Sequence, residues 1–119
     1  MFSEALLDHF RNPRNAGELP GATARIEVSN PVCGDVLQLA AVFAHGVVRE
    51  VRFLCRGCTA SIACASLLTE TMRGRESSGL RKITAESLSE AFGGLPEASF
   101  HAAQLARHAL EALLQAAGK

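Results

Sequence analysis

The stretch VRFLCRGCTASIAC, residues Val51–Cys64, changes its pattern halfway along and holds three of the four cysteines of the chain. Val51 and Phe53 alternate with the polar Arg52, which is typical of a β-strand that is covered on one face. After Cys58 the residues are small and largely apolar, and they predict a helix. The stretch therefore predicts a strand that runs into a turn and then into a helix, with cysteines at the junction.

The same alternation extends upstream, over Ala24–Leu54. Ile26 and Val28 alternate with charged neighbours, and His45-Gly46 separates two apolar runs as a two-residue hairpin turn would. This half of the chain therefore predicts a short antiparallel meander.

Helical periodicity lies on both sides of the predicted strands. Ser3 can cap a first helix, and the prolines and glycines of NPRNAGELPG end that helix. Further helices are expected over residues 60–72, over 84–92 with Thr84 as the cap, and over 99–117. The apolar residues that mark these helices are Phe2, Leu6 and Phe10 in the first, and Phe100, Ala103, Leu110, Leu113 and Leu114, the expected buried stripe, in the last.

Together these elements predict an α+β fold: a short three-stranded antiparallel sheet with helices packed on one face, plus an N-terminal helix. A chain of 119 residues is long enough to bury one core. No internal repeat or long linker divides it, and we predict a single domain over residues 1–119.

The composition argues against several classes of partner. Twelve basic and twelve acidic residues balance, and Trp and Tyr are absent, so a nucleic-acid surface is not expected. No apolar run is long enough to span a membrane, and the first residues lack the charge of a signal peptide. We therefore expect a cytoplasmic protein, in which cysteines serve metal binding or redox chemistry more often than disulfides.

Three cysteines lie in or next to the predicted strand and helix. Cys55 and Cys58 form a C-x-x-C pair between a strand and a helix, as in a thioredoxin-like dithiol site. Since side chains alternate along a strand, Cys55 should share the covered face with Val51 and Phe53. Cys64 lies among small residues on the helix and is expected to behave as a small buried hydrophobe.

The fourth cysteine, Cys33, lies in the segment NPVCGDV. Pro31 and Gly34 predict a tight turn that presents the Cys33 thiol and the Asp35 carboxylate from one loop, where ligands often lie. The alternative is an ordinary turn with an incidental cysteine and an aspartate chosen for its turn propensity. His101, in the first turn of the last predicted helix, is by itself most simply a surface histidine.

Four segments in this order are similar to the U-type iron-sulfur cluster scaffold family, which comprises IscU and the N-terminal domain of NifU. The segments are LLDHFRNPRNAGEL, NPVCGDVLQL, GCTASIACASLLTE and LPEASFHAAQLARHAL. The most specific feature is C-G-D followed downstream by G-C-x-x-x-I-A. The resemblance covers nearly the whole chain.

The resemblance implies an α+β scaffold without enzymatic activity of its own. A cysteine desulfurase would deliver sulfur to it, iron would join the sulfur, and a transient [2Fe-2S] cluster would pass to recipient proteins. The ligands that carry over from the family are Cys33, Asp35, Cys58 and His101. Cys55 and Cys64 are not among them, and an oligomer is left open.

Two departures from the family pattern bear on this function. Family members have a third cysteine directly after the histidine, where this chain has Ala102, and that cysteine is often assigned as the sulfur acceptor. Cys33 is then expected to be the most accessible acceptor, with Cys58 second and more enclosed. The segment read by an Hsp70-type chaperone is replaced by LPEAS, which keeps only Leu-Pro, so this partner is not expected.

Three functions therefore stay open at the level of sequence. The first is a working scaffold with Cys, Asp and His ligands. The second is a degenerate scaffold that serves as an accessory or regulatory module, since two thiolates, a carboxylate and an imidazole also suit tetrahedral Zn²⁺. The third is a dithiol or sulfur-relay enzyme that uses Cys55 and Cys58.

Overall fold

The computed structural model describes residues 2–31 and 33–119. One helix comes first in the chain, then the three strands, and then the remaining helices. In chain order they are α1 (Glu4–Arg11), β1 (Ala24–Asn30), β2 (Asp35–Ala44), β3 (Val47–Arg56), α2 (Thr59–Met72), α3 (Ser77–Leu80), α4 (Ala85–Ala91), a 3₁₀ turn (Glu97–Ser99) and α5 (Phe100–Ala116). The predicted α+β class is confirmed.

The three strands form an antiparallel sheet in the order β1-β2-β3. The β2-β3 connection is the predicted two-residue turn: His45 and Gly46 have φ angles of 54° and 75°, the left-handed values that such hairpin turns require. At the opposite end of the sheet, Asp35 pairs with Asn30 and Leu37 pairs with Cys55. The meander therefore brings the start of β2 beside the end of β3.

Helix α2 lies at the centre of the helical layer and contacts α1, α5 and β3. A helix with neighbours on so many sides needs small side chains, because these let the backbones approach closely. Its sequence, TASIACASLLTETM, meets that need. The buried residues of α2 are Ala60, Ser61, Ala63, Cys64, Ala65, Ser66, Leu68, Thr69 and Met72.

The predicted helix starts are confirmed at two caps. The Ser3 side chain accepts a hydrogen bond from the backbone N–H of Leu6. Thr84 accepts from the N–H of Ser87, whose hydroxyl bonds back to the N–H of Thr84. Each cap satisfies backbone donors that a helix N-terminus leaves free.

The inward face of α1 differs from the prediction, whereas that of α5 largely agrees with it. Phe10 is 37% exposed, and His9, 7% exposed, is buried instead. Leu6 and His9 are three residues apart and face α2 together. In α5, Phe100 is only half-buried, and the other members of the predicted stripe belong to the core: Ala103, Leu110, Leu113 and Leu114. The helix is covered by the sheet, α2 and α4.

None of the described helices is long and apolar enough to cross a membrane. Most of the buried apolar side chains, from Leu6 to Leu114, belong to one hydrophobic cluster between the sheet and the helices. That residues 1–119 form a single domain stays a prediction.

Candidate metal site

Three chain segments meet at one end of the sheet. The turn between β1 and β2 carries Cys33 and Gly34, and Gly34 has a φ of 74° that favours glycine. β2 begins at Asp35, and β3 ends beside it and leads into α2. The start of α5 completes the group with His101. Val32, within the predicted turn motif, lies outside the described residues.

The ligand atoms of Cys33, Asp35 and His101 all lie within 4.8 Å of one another. Two ligands of one tetrahedral Zn²⁺ are about 3.5 Å apart, given metal–ligand bonds of about 2.0–2.3 Å. Small side-chain rotations would therefore bring these three donors around one ion. A thiol, a carboxylate and an imidazole suit zinc and iron alike.

The His101 ring is held in one tautomer. Its Nδ1 lies 3.1 Å from the carbonyl oxygen of Ala98, and a carbonyl can only accept, so Nδ1 carries the proton. In the neutral ring, Nε2 then keeps its lone pair for a metal. A carbonyl that orients a histidine in this way is the usual outer partner of a metal-binding imidazole.

The Asp35 carboxylate is buried and fixed from two sides. The Ser61 hydroxyl donates to Asp35 Oδ2 at 2.5 Å, a length typical of a hydroxyl bonded to a carboxylate. On the other side lies Gly57, where a Cβ would stand 2.8 Å from Asp35 Cγ. Asp35 is only 6% exposed, so these contacts decide where its oxygens point.

Cys58 is outside the group of three. It is the N-cap residue of α2, is exposed, and has its Sγ 3.4 Å from Ser61 Oγ. Ser61 therefore connects it to Asp35. Both Cys33 and Cys58 are exposed, so the expectation that Cys58 is the more enclosed of the two stays a prediction. That Cys33, Asp35, Cys58 and His101 act as ligands stays a prediction.

The thiols of Cys55 and Cys64 are buried or half-buried, which disfavours their reaction as nucleophiles. Cys64 is fully buried, and Cys55 is half-buried on the face of β3 that packs against the core. Burial raises the pKa of each thiol to about 12, whereas a nucleophilic cysteine needs a readily formed thiolate. The core-facing position of Cys55 therefore argues against a relay from Cys55 to Cys58.

The sequence patterns did not single out Ser61 and Gly57. Both lie in the motif G-C-x-x-x-I-A, where Ser61 occupies an unspecified position. A signal was available for Ser61, since it is three residues after Cys58 and such residues share a helix face. Nothing local indicated that the face would meet Asp35.

Replacing Gly57 with alanine is expected to displace the Asp35 carboxylate and lower Zn²⁺ affinity about tenfold. The clash is with the end of a side chain, so the carboxylate should move while the backbone stays. The loss of folding free energy should be about 1–3 kcal/mol, the usual cost of disturbing a hydrogen bond to a buried charged group. Competition with a chromophoric chelator measures the affinity, and urea unfolding of the metal-free protein measures the stability.

Gly79→Ala is the matched control, since a Cβ at Gly79 meets nothing within 4 Å. It should leave zinc affinity unchanged and raise the free energy of unfolding by about 1 kcal/mol or less, as alanine does in a helix. Unchanged zinc affinity in Gly57→Ala would mean that the position of Asp35 does not matter for the ion.

Fold and site together define a class of protein: a small α+β domain that gathers thiol, carboxylate and imidazole donors at one end of a three-stranded sheet. The sequence matches the family model of the NifU-like N terminal domain over residues 1–117. The chain belongs to this family.

Curated relatives include IscU 1 of Archaeoglobus fulgidus, named an iron-sulfur cluster assembly scaffold protein. It is 38% identical over 110 residues, which are 92% of this chain and 72% of the relative. The IscU of Escherichia coli K12, which carries the same scaffold description, is 32% identical over 117 residues. These residues are 95% of this chain and 91% of the E. coli protein.

Solved structures share the fold. The N-terminal part of a nitrogen-fixing NifU-like protein from Brucella abortus superposes with a TM-score of 0.79 at 17% identity, covering 98% of this chain and 93% of that one. A SUF-system scaffold candidate from Fervidobacterium islandicum AW-1 gives 0.79 at 21% identity, covering 95% and 96%. The three-stranded sheet with its helices is thus the fold of the family.

Proposed function

We propose that this chain is an iron-sulfur cluster assembly scaffold that accepts sulfur and iron, builds a [2Fe-2S] cluster and passes it on. One observation carries the proposal: Cys33, Asp35 and His101 converge within 4.8 Å from two separate parts of a chain that belongs to the NifU-like family. Relatives named as scaffolds support it. Its role is that of a scaffold domain rather than an enzyme.

The four proposed donors are Cys33, Asp35, His101 and Cys58. The cluster is cargo, so the site must hold it and release it. A carboxylate and an imidazole are harder donors than thiolate and bind iron-sulfur clusters less commonly. Such ligands suit a cluster that is bound only until it is transferred. Without sulfide, the same donors would hold Zn²⁺, and we expect zinc or an empty site in the isolated protein.

The position after His101 supplies no donor, because Ala102 carries only a methyl group and is 1% exposed. Cys58 therefore has to provide the fourth protein ligand. The proposed partners are a cysteine desulfurase and apo iron-sulfur recipients. We place this work in the cytoplasm, where the four free cysteines stay reduced.

Sulfur acceptance is the step on which the proposal depends. The thiolate of an acceptor attacks the outer sulfur of the desulfurase persulfide; a new S–S bond forms, the old one breaks, and the desulfurase cysteine leaves as thiolate. Both Cys33 and Cys58 are exposed enough for this encounter. The Cys58 sulfur is already directed towards Ser61, which leaves Cys33, on its turn, as the first acceptor.

We expect a desulfurase supplied with cysteine to load Cys33 first and Cys58 second. Alkylation of trapped persulfides, followed by mass spectrometry, locates the added sulfur in the wild type and in Cys33→Ser, Cys58→Ser and Cys64→Ser. Cys33→Ser should lose most of the signal, whereas Cys64→Ser, with its change buried in the core, should keep it.

The loaded protein is then given Fe²⁺ and dithiothreitol under anaerobic conditions. Reduction of two outer sulfurs to sulfide takes four electrons: two Fe²⁺ give one each and become Fe³⁺, and one dithiol supplies the other two as it closes to its disulfide. Absorption bands of a [2Fe-2S] cluster should appear and pass to an apo-ferredoxin. Ala102→Cys, measured in parallel, reports what a third thiol adds. If no cysteine gains sulfur and no cluster forms, the scaffold function fails, and a zinc-binding accessory module becomes the better account.

A further inference from the structure

We propose that Ser61 is a positioning residue of the metal site, which aims the Asp35 carboxylate at the ion and keeps Cys58 beside it. The inference rests on the proposed function in one respect, that Asp35 is a ligand. Ser61 is 2% exposed, and its hydroxyl touches two of the four proposed ligands, Asp35 at 2.5 Å and Cys58 at 3.4 Å.

The protons of the two contacts define the role of the hydroxyl. A serine hydroxyl has one proton to donate, and a carboxylate can only accept, so the Ser61 proton is committed to Asp35 Oδ2. Towards Cys58 the same oxygen offers lone pairs, which the thiol proton can meet. The chain of donors runs from the Cys58 S–H through Ser61 to Asp35, and it fixes the three side chains relative to one another.

The placement of Ser61 follows from the start of α2. Cys58 is the N-cap and Ser61 the third helical residue, so the two face the same side of the first turn. Gly57 leaves the space that Asp35 occupies. The carboxylate therefore lies against the first turn of α2, where Ser61 holds its Oδ2.

An outer hydrogen bond of this kind usually decides how well a ligand binds. Loss of such a partner typically costs about 10–100-fold in metal affinity. Asp35, without the hydroxyl, could turn its carboxylate away from Cys33 and His101, because Ser61 supplies its short hydrogen bond at Oδ2.

The test is a Co²⁺ titration of the purified metal-free protein. Co²⁺ replaces zinc at such sites and gives absorption bands that report thiolate coordination. Ser61→Ala should weaken Co²⁺ binding about 10–100-fold and alter the band positions. Ser66→Ala is the matched control: the same change on the same helix, at a buried hydroxyl that contacts His9 and the N–H of Arg14 and no proposed ligand. It should bind Co²⁺ within about twofold of the wild type.

A second pair of variants keeps the test independent of any effect of Ser61→Ala on folding. Ser61→Thr and Ser61→Val have similar shapes, and only the first keeps a hydroxyl. The threonine variant should bind Co²⁺ at least about tenfold more tightly than the valine variant. In an Asp35→Ala background, the difference between serine and alanine at position 61 should shrink to less than about threefold, because only the longer contact with Cys58 is then left.

Wild-type affinity in both Ser61→Ala and Ser61→Val would overturn the inference, as would an equal loss in Ser66→Ala. A wild-type protein that binds no Co²⁺ would overturn it together with the proposed ligand set. If the wild type binds Co²⁺ and the Ser61 variants weaken it, but neither sulfur transfer nor cluster formation occurs, Ser61 keeps its role and the scaffold function is what fails.

Discussion

Replacing Cys33 with serine is expected to lower Zn²⁺ affinity by about a hundredfold or more and to leave the metal-free fold as stable as before. The ligand form of cysteine is the thiolate, and a serine hydroxyl does not deprotonate readily enough to replace it. The Cys33 side chain is exposed in the turn before β2, so its removal should change the free energy of unfolding by less than about 0.5 kcal/mol. Chelator competition and urea unfolding measure the two quantities.

Cys64→Ser is expected to lower the stability of the fold and to leave the zinc affinity unchanged. Its thiol is 0% exposed within the core, and burial of a hydroxyl there without a partner costs about 1–3 kcal/mol. Zinc affinity of the folded protein should stay at the wild-type value. If the two variants lower affinity equally, Cys33 has no special place at the site, and the convergence with Asp35 and His101 is incidental.

The parts of the fold that are encoded locally could be predicted from the sequence. The His45-Gly46 turn, the Ser3 cap and the Thr84 cap each depend on residues that are neighbours in the chain, and each is confirmed. Helix α3, with four residues, is too short for periodicity to indicate. His9 was missed because a histidine at that position becomes a core residue only through contacts with α2 and Phe92.

The site residues also fall into those that a local sequence signal predicts and those that it does not. The turn that presents Cys33 and Asp35 has a local signal in its proline and glycine. His101 has none, since its partners come from far along the chain and only the family resemblance connected them. Ser61 could not be identified by either route, because its importance depends on a side chain that tertiary structure places against α2.

Burial of His9 also links the N-terminal helix to pH. The ring is 7% exposed and lies edge-on to Phe92, with the centroids 5.5 Å apart. Its Nδ1 is 2.8 Å from Ser66 Oγ, and its Nε2 is 3.4 Å from Glu70. Ser66 can donate to Nδ1 while it accepts from the N–H of Arg14, and Nε2–H then faces Glu70. The neutral ring satisfies every partner.

Burial lowers the pKa of His9 below its ordinary 6.5, and the positive charge of Arg14 lowers it further, although Glu70 and Asp8 oppose the shift. Because the folded-state pKa is the lower one, the unfolded chain binds a proton first as the pH falls. The contribution of His9 to stability is therefore complete above about pH 6.5 and is lost as the pH falls through the folded-state pKa.

His9→Ala is expected to reduce the free energy of unfolding at neutral pH by about 2–4 kcal/mol, since it removes a buried ring and leaves the Ser66 hydroxyl with one partner fewer. His9→Gln, which keeps polar atoms but does not titrate, should flatten the fall in stability between neutral pH and about pH 5. Urea unfolding of metal-free protein across that range measures both effects, with the exposed His108→Gln as the control. A pH dependence in His9→Gln that matches the control would mean that another group titrates. The expected result would instead show that protonation of His9, which joins α1 to α2 through Ser66, contributes to the loss of stability in acid.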